Sequence, residues 1–364
     1  MVSKKERIIL LYILIILSLL FTGYILKSNL TISIFFMGLL SYIFANVSPQ
    51  VPDYSNYFQY YYGGEYYRNL LQKGYESVSI FFLNHGYSFE NFRLALAILT
   101  FLMLWIAIQT WTKNIVWVLA FYLISYFPMD IIQIRNFVML GFTTLGVMIL
   151  TKNGNLKYVV SLFSIWIGAQ FHTMGLIYLP IVIMTMLPNF VAKKMRKYSI
   201  PIAIVGSITF FLGSRTALLG SLAGFVGRLS GSESQITNKL TDRYTTGTSL
   251  SMLLVVIVVN IIIWIAVKKI SQYEKNNSNK DVRVVIHTIK NVASYSLILS
   301  PLMMIAPDYS RVFRNFGLLF IIFFIMILSK RDVENESKTV ATLSLLIMSV
   351  AGLAVWARYF VVLF

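Results

Sequence analysis

The chain has 364 residues, of which 57% are hydrophobic and 12% are charged, and its formal net charge at pH 7 is +17. Soluble domains carry roughly 25% charged residues, so this composition excludes an ordinary soluble globular protein. The basic residues lie in gaps between apolar runs and form no patch with base-stacking aromatics, which argues against nucleic acid as a partner. The chain has no cysteine and its three histidines are far apart in the sequence, so we expect no disulfide and no metal site.

Long apolar runs separated by short polar breaks dominate the sequence. A spanning helix needs about 20 mostly apolar residues, and solid apolar runs differ from the alternating pattern of a β-barrel. We therefore predict an all-α fold, a polytopic transmembrane helix bundle of about 11–12 helices, in which residues 1–364 form a single integral membrane domain. Two long polar interruptions, residues 48–91 and 214–250, are predicted as loops on the outer face.

The first apolar run follows Lys4, Lys5 and Arg7, as the apolar core of a signal peptide would. It is longer than such a core and lacks a small-residue cleavage site, so we predict a retained helix. Within the first polar interruption, Ser77 to Leu83 is too short to span and is predicted as a helix lying at the surface. In chain order, the predicted apolar helices are 8–26, 30–47, 92–110, 115–127, 137–150, 158–169, 174–187, 200–213, 251–267, 291–306, 312–329 and 339–357.

Lysine and arginine in the connecting loops predict the orientation, because cytoplasmic loops carry an excess of these residues. If each run crosses the membrane once, four basic loops fall on the same side, which we predict to be cytoplasmic. The same count places the more polar connections together on the outer face, and it also places the N-terminus outside, although its own Lys and Arg residues favour the inside. An extra crossing or a re-entrant segment near 75–90 would satisfy both. The basic loops are 151–157, 191–199, 268–290 and 330–338, and the outer connections are 48–91, 128–136, 170–173, 214–250 and 307–311.

The first polar interruption is rich in tyrosine and contains four carboxylates, Asp53, Glu65, Glu76 and Glu90. Tyrosine has an apolar ring and a polar tip, which suits the interface between membrane and water. The same ring suits the apolar face of a sugar. The segment is therefore predicted to be either an interfacial belt or a substrate platform.

Arginine between apolar runs is costly unless it is paired or hydrated. Arg135 follows Asp130 by five residues, which indicates either a structural ion pair or an anion clamp, since the guanidinium fork matches phosphate oxygens two at a time. Arg311 and Arg314 are three residues apart and share one helix face. They either extend to the interface from a helix end or form a second clamp.

His172 interrupts an apolar hairpin and is predicted to be either a hydrogen-bonded interior side chain or a general base or phosphate donor. Asp53, Glu65 and Glu76 are further candidates to take a proton from an attacking hydroxyl, and spacing does not choose among them. The sequence contains no P-loop and no G-x-G-x-x-G motif. Nucleotide-driven chemistry therefore has no support, and the residues favour an anionic, polar substrate at the outer leaflet.

Five short segments follow one another along most of the chain. They are Asp53-Tyr54 with Tyr57, Gly74-Tyr75-Glu76, Ile134 to Phe137, Phe171 to Met174, and Arg311 to Phe316. Their order and spacing resemble the EpsG family, a branch of the Wzy-type bacterial polysaccharide polymerases. The family's Arg and Gly before the first segment are replaced by Ser48 to Pro52, and Asn136 replaces a Gln.

The resemblance implies a glycosyltransferase-type polymerase of the bacterial cytoplasmic (inner) membrane that joins polyprenyl diphosphate-linked oligosaccharides at the outer face without metal, nucleotide or other cofactor. Its implied partners are membrane lipid and the chain-length regulator and flippase proteins of the same pathway. The alternatives are a lipid-linked oligosaccharide flippase, which would need polar residues through the midplane, and a membrane O-acyltransferase. The implied catalytic residues are His172 and Asp53, and the implied substrate-binding residues are Arg135, Arg311, Arg314, Tyr54, Tyr57 and Glu76.

Overall fold

The computed structural model of the chain describes residues 4–26, 30–64, 71–212, 250–274, 279–304 and 310–363. Within these ranges the chain forms fifteen α-helices, two 3-10 segments (Thr173–Tyr178 and Ser300–Met304) and no β-strand, which confirms the all-α prediction. The helices are α1 Lys4–Leu26, α2 Leu30–Ala45, α3 Tyr54–Tyr62, α4 Lys73–Asn84, α5 Phe89–Gln109, α6 Ile115–Ser125, α7 Phe127–Ile132, α8 Ile134–Ile149, α9 Leu156–Phe171, α10 Leu179–Met186, α11 Asn189–Leu212, α12 Leu250–Tyr273, α13 Lys280–Leu299, α14 Ser310–Ser329 and α15 Asn335–Leu363.

Four of the described helices are long and apolar enough to cross a membrane, namely α5, α14 and the greater parts of α12 and α15. Shorter apolar helices of 10–17 residues accompany them in α1, α2, α6, α8, α9 and the segment Thr173–Met186. The last of these is a broken helix, in which a 3-10 turn precedes α10 and Pro180 occupies the first turn of α10, where its missing N–H is tolerated. The protein is therefore a multi-pass membrane protein, as its hydropathy predicts.

Helix α14 lies at the centre of the bundle. Every residue from Val312 to Ile327 is buried, and the helix packs against α6, α8, α12, α13 and α15. A helix that is apolar on all sides belongs in the interior. Its second turn carries Arg314 and Asn315, so these polar side chains are held among helices rather than at the surface.

Hydrogen bonds join the predicted basic loops at one end of the bundle. Arg196 Nη1 donates to Asn291 Oδ1 at 2.6 Å, which joins α11 to α13. Ser337 Oγ donates to Glu274 Oε1 at 2.7 Å, which joins the end of α12 to the start of α15. We call this end the basic end. It contains the described residues of the segments predicted as basic loops, of which 191–199 is helical in α11 and 268–273 and 280–290 are helical in α12 and α13.

Two further bonds complete the basic end. Trp111 Nε1 donates to Thr151 Oγ1 at 3.0 Å, and Asn114 Nδ2 donates to Ser329 Oγ at 2.5 Å. The turn between α5 and α6 therefore meets both the end of α8 and the end of α14. The prediction that the four basic loops share one side is confirmed.

The N-terminal helix runs antiparallel to α6, so it begins at the opposite end of the bundle. Tyr12 Oη donates to the Leu123 carbonyl at 2.7 Å, and Gly23 lies against Trp117, whose Nε1 would be 2.9 Å from a Cβ placed there. Helix α6 begins at the basic end, directly after Asn114. Because α1 runs antiparallel to α6, the C-terminal end of α1 lies at the basic end. The structure thus follows the loop count and not the N-terminal charges, and no extra crossing is needed near 75–90.

The tyrosine-rich interruption folds as two helices, α3 and α4, at the end opposite the basic end, which we call the site end. Tyr61 Oη in α3 donates to the Tyr87 carbonyl at 2.8 Å and so joins α3 to the segment that follows α4. Helix α4 contains Ser77 to Leu83, so the helical conformation predicted for this segment is confirmed, and its position at the membrane surface stays a prediction. Residues 65–70, 213–249 and 305–309 lie outside the described residues, and with them Glu65 and nearly all of the predicted outer loop 214–250.

The orientation is open to a direct test with two exposed turns. A reporter that is active only outside the cytoplasm is expected to be active when fused after Gly86 and silent when fused after Gly154, because the first turn follows α4 at the site end and the second belongs to a basic loop. Protease protection of sealed vesicles provides an independent check on the same two turns. The reverse pattern would place the site end in the cytoplasm and contradict the assignment of the outer face.

Candidate functional site

The site end is organised around a break between α7 and α8. Gln133 occupies the break with φ −117° and ψ 72°, outside the helical region, so the residues on either side point towards different elements. Gln133 binds Arg314, Arg135 binds Gln72, and Asn136 binds Asn315. One short polar segment therefore connects α4, α8 and α14.

Arg314 is held in the interior by an ion pair and a hydrogen bond. Its Nε lies 3.1 Å from Asp130 Oδ1 and its Nη2 donates to Gln133 Oε1 at 2.7 Å. The second oxygen of Asp130 accepts from Tyr122 Oη at 2.5 Å. Asp130 is fully buried and Arg314 is 8% exposed. The structural pair between Asp130 and Arg135, one of the two sequence interpretations, is wrong, because Arg314 takes that carboxylate from a helix that is distant in sequence.

Arg135 is held without a carboxylate. Its Nη1 donates to Gln72 Oε1 at 2.8 Å, and its Cζ lies 5.7 Å from the centre of the Tyr57 ring and 5.9 Å from that of Tyr60. These distances are within the range of cation–π attraction, about 6 Å. Its Nε is buried and has no hydrogen-bond partner, and none of the ion pairs within the described ranges includes Arg135. A half-buried cation with neutral partners keeps its charge available for an anionic ligand.

A cavity of about 290 Å³ lies beside Arg314. This volume is near the lower end of the range for ligand pockets, roughly 300–1,000 Å³. Arg311, Arg314, Gln133 and Asp53 contribute a polar side to it, whereas α12 and α15 contribute an apolar wall. Only 28% and 33% of the residues in the membrane-spanning windows of α12 and α15 are buried, so most residues of these two windows lie outside the buried core of the bundle. The apolar wall residues are Val255, Val256, Val259, Ile263, Met348, Ala351, Gly352 and Val355.

A reciprocal amide pair fixes α8 against α14. Asn136 Nδ2 donates to Asn315 Oδ1 at 3.2 Å, and Asn315 Nδ2 donates back to Asn136 Oδ1 at 3.0 Å. Both side chains are fully or almost fully buried. Because each asparagine follows a site arginine by one residue, the pair sets the relative position of Arg135 and Arg314.

Asp53 and His172 occupy special backbone positions at the site end. Asp53 has φ 66°, the one positive φ at a non-glycine residue among the described positions, and such strain concentrates at functional sites. His172 lies between the end of α9 and the following 3-10 segment, and its Nδ1 accepts from the Met174 N–H at 3.2 Å. With Nδ1 acting as acceptor, a neutral ring carries its proton on Nε2. In this arrangement the Nε2–H of His172 can donate a hydrogen bond. Asp53, which lines the cavity described above, has a carboxylate that can accept one.

The site brings together only some of the predicted residues. Asp53, Arg311 and Arg314 line the cavity, whereas Arg135 lies with Tyr57 in a separate cluster. Residues from both groups fall in the range matched by a family model, described as the EpsG family, which covers residues 27–362. This chain belongs to the EpsG family. No curated protein and no solved structure matches it.

The EpsG match includes all eight predicted site residues and leaves out α1 before residue 27. Glu76, one of the eight, forms an ion pair with the exposed Lys73 at 3.7 Å. The neighbouring Gly74 allows α4 to approach α9, since a Cβ there would lie 2.7 Å from Gln170 Cβ. The start of α4 therefore packs beside the turn that contains His172.

In this EpsG protein the predicted tyrosines face inward. Tyr54 and Tyr57 are 9% and 6% exposed, and Tyr54 Oη donates to Glu90 Oε1 at 3.1 Å. Burial, together with the Glu90 carboxylate, raises the pKa of the Tyr54 phenol, which keeps it protonated as a donor. Their contact with a sugar stays a prediction, whereas their contact with arginines is a feature of the fold. Tyr57 lies against Arg135, and Tyr54 lies 5.6 Å from the Cζ of a third arginine, Arg93.

Arg93 is a structural arginine that the sequence interpretation missed. It is 1% exposed, and its Nη2 and Nε donate to the Phe44 carbonyl at 2.6 and 3.2 Å. That carbonyl belongs to the last turn of α2, where a cation is favourable. A single arginine in the first turn of an apolar run was the available signal. Arg93 thus fixes α2 to α5 behind the tyrosine helix.

Proposed function

We propose that this protein is a Wzy-type polysaccharide polymerase, which joins oligosaccharide repeat units carried on polyprenyl diphosphate by glycosyl transfer at the outer face of the bacterial cytoplasmic membrane. Membership of the EpsG family supports a polymerase-like role in polysaccharide synthesis. The finer assignment depends mainly on one observation, a cavity that has arginines on one side and an apolar wall from lipid-exposed helices on the other. A polyprenyl diphosphate has the same two parts, a dianionic group and a hydrocarbon chain.

The chemistry requires neutralisation of a departing diphosphate. The acceptor hydroxyl oxygen forms a bond to the anomeric carbon of the donor sugar, and the bond from that carbon to the diphosphate oxygen breaks, with its electron pair leaving on the diphosphate. Arg311 and Arg314 line the cavity where that charge would develop, and oriented donors at a developing charge are commonly the largest catalytic contribution. Arg135 supplies a second cation near the tyrosine helix.

The proton of the acceptor hydroxyl needs a base. Asp53 is the better placed of the two predicted catalytic residues, because it is partly exposed and lines the cavity with the arginines. His172 serves in this scheme as a donor from Nε2 to the substrate, since Nδ1 is occupied. Glu76 remains a predicted substrate contact, with Tyr54 and Tyr57 behind the arginines. The scheme uses no metal and no nucleotide, and its pathway partners would be a flippase and a chain-length regulator.

A reconstituted assay tests this function. Purified protein in proteoliposomes, supplied with one lipid-linked repeat unit, is expected to convert it into a ladder of longer lipid-linked glycans with release of polyprenyl diphosphate. Asp53→Asn is expected to reduce the ladder strongly, because the amide cannot accept the proton, whereas Asp281→Asn, at an exposed position of the basic end, serves as the matched control. Movement of intact repeat units across the bilayer without lengthening would instead identify a flippase.

A further inference from the structure

A cluster of nitrogen groups lies at the basic end, away from the site end. His287, Lys290 and Asn291 occupy one face of α13, at positions i, i+3 and i+4. Arg196 of α11 faces them and donates from Nη1 to Asn291 Oδ1 at 2.6 Å. Lys290 Nζ donates to Ser271 Oγ of α12 at 3.0 Å. Three helices therefore converge on a small group of cations.

Among the described residues, no carboxylate forms an ion pair with the cluster. Arg196 and Lys290 are near enough to His287 to interact with it electrostatically, and both interactions are repulsive towards its protonated form. The ion pairs found within the described ranges do not include Arg196, His287 or Lys290. The buried carboxylate of this end, Glu274, accepts hydrogen bonds from Ser337 and from the backbone. Like charges that are half-buried together without an acid are unfavourable unless an anion lies between them.

Two buried polar atoms in the cluster have no hydrogen-bond partner within the described part of the chain. Asn291 is fully buried and its Nδ2, a donor, makes no hydrogen bond, although its Oδ1 is bound to Arg196. His287 Nε2 is also buried and without a partner. Buried donors are nearly always satisfied, by protein or by a bound group. Because Asn291 is oriented by Arg196, its unsatisfied donor lies next to the guanidinium.

We propose that Arg196, His287, Lys290 and Asn291 form a binding site for a phosphate group at the basic end. A guanidinium, an ammonium, an imidazole and an amide N–H supply converging donors of the kind that phosphate oxygens accept. The position, between transmembrane helices at the end rich in lysine and arginine, is where headgroups of anionic lipids bind. A phosphodiester lipid headgroup and a soluble phosphate share this chemistry, and the following experiment separates them.

The experiment measures thermal unfolding of the full-length protein in nanodiscs by tryptophan fluorescence. One set contains phosphatidylcholine alone, a second contains phosphatidylcholine with phosphatidylglycerol, and a third contains phosphatidylcholine with inorganic phosphate at matched ionic strength. A ligand that binds the folded state raises the unfolding midpoint, and we expect a rise of a few degrees. A rise with phosphatidylglycerol alone identifies a lipid site, and a rise with inorganic phosphate identifies a site open to soluble phosphates.

Paired substitutions separate this site from general surface charge. Arg196→Gln with Lys290→Gln is expected to abolish the rise, whereas Lys194→Gln with Arg283→Gln, which removes the same charges from exposed positions of α11 and α13, is expected to keep it. Asn291→Asp is the second test variant, used if the double variant of Arg196 and Lys290 does not fold. It places a carboxylate beside Arg196, so it is expected to raise the midpoint without ligand and to remove the response. Equal responses in both pairs, or no response in the unmodified protein, would overturn the proposal.

Discussion

Lysine in place of Arg314 or Arg135 is expected to reduce polymer formation by on the order of 10²–10³. Lysine keeps the charge but loses the planar fork that allows one side chain to bind several oxygens in fixed directions. Arg314 uses two nitrogens for Asp130 and Gln133 and lines the cavity as well. A lysine at this position would still reach Asp130, so the buried carboxylate stays paired while the oriented donors towards the cavity are lost.

Arg135→Lys tests the second cluster by the same principle. The ammonium would keep attraction to the Tyr57 and Tyr60 rings but would lose the geometry that holds the guanidinium between Gln72 and the rings. The measurement is the ladder of lipid-linked glycans, together with membrane protein level and the thermal unfolding midpoint. Single repeat units should accumulate without longer products.

The control for both substitutions is Arg283→Lys, which makes the same change at an exposed position of the basic end and is expected to leave the ladder unchanged. A full ladder from Arg135→Lys and Arg314→Lys at the normal protein level would reject the role of the arginines as diphosphate clamps. A lowered unfolding midpoint that parallels the loss of polymer would show that the residues act through folding instead.

Filling the cavity is expected to have the second-largest effect. Ala351→Trp places a large ring on the apolar wall of α15, inside a cavity of about 290 Å³. We expect polymer formation to fall by on the order of 10², the scale of loss when a substrate is displaced by about an ångström. The measured quantities are the rate of ladder formation and its dependence on the concentration of the lipid-linked substrate.

The matched control is Leu353→Trp, which puts the same ring on the same helix at an exposed position outside the cavity. This substitution should leave polymer formation near normal, because it adds apolar surface facing lipid. If both tryptophan variants behave alike, the cavity is not the place where the polyprenyl chain binds. If Ala351→Trp lowers the apparent affinity for substrate and Leu353→Trp does not, the apolar wall is the binding surface.

Much of the fold could be predicted from local composition. Apolar runs marked the membrane helices, and four basic loops predicted one common side, which the bonds of Arg196 to Asn291 and of Trp111 to Thr151 confirm. These features depend on residues that are neighbours in sequence, since each membrane helix forms the hydrogen bonds of its backbone groups within its own segment. The N-terminal charges favoured the wrong side for the start of α1. The direction of α1 is set by its packing against α6, through the hydrogen bond of Tyr12.

The site could be predicted only as a set of residue types at one end. Arg135, Arg314 and Asp130 are recognisable by sequence as costly charges between apolar runs. Their pairing cannot be recognised from the sequence, because the partner of a buried carboxylate depends on which helix faces it. Asp130 lies near Arg135 in sequence, yet it binds Arg314 of α14, while Arg135 turns to Gln72 and Tyr57.

By itself the sequence determined that this protein is a helical membrane protein of the EpsG family and predicted its candidate site residues at one end, because hydropathy, loop charge and motif order are properties of the chain as written. The tertiary structure alone decided that Arg311, Arg314 and Asp53 share a cavity while Arg135 lies in a separate aromatic cluster. It also decided that Tyr54 and Tyr57 are buried. The physical reason is that helix packing is set by side chains far apart in sequence. The break at Gln133 and the central position of α14 therefore determine which polar side chains pair with one another.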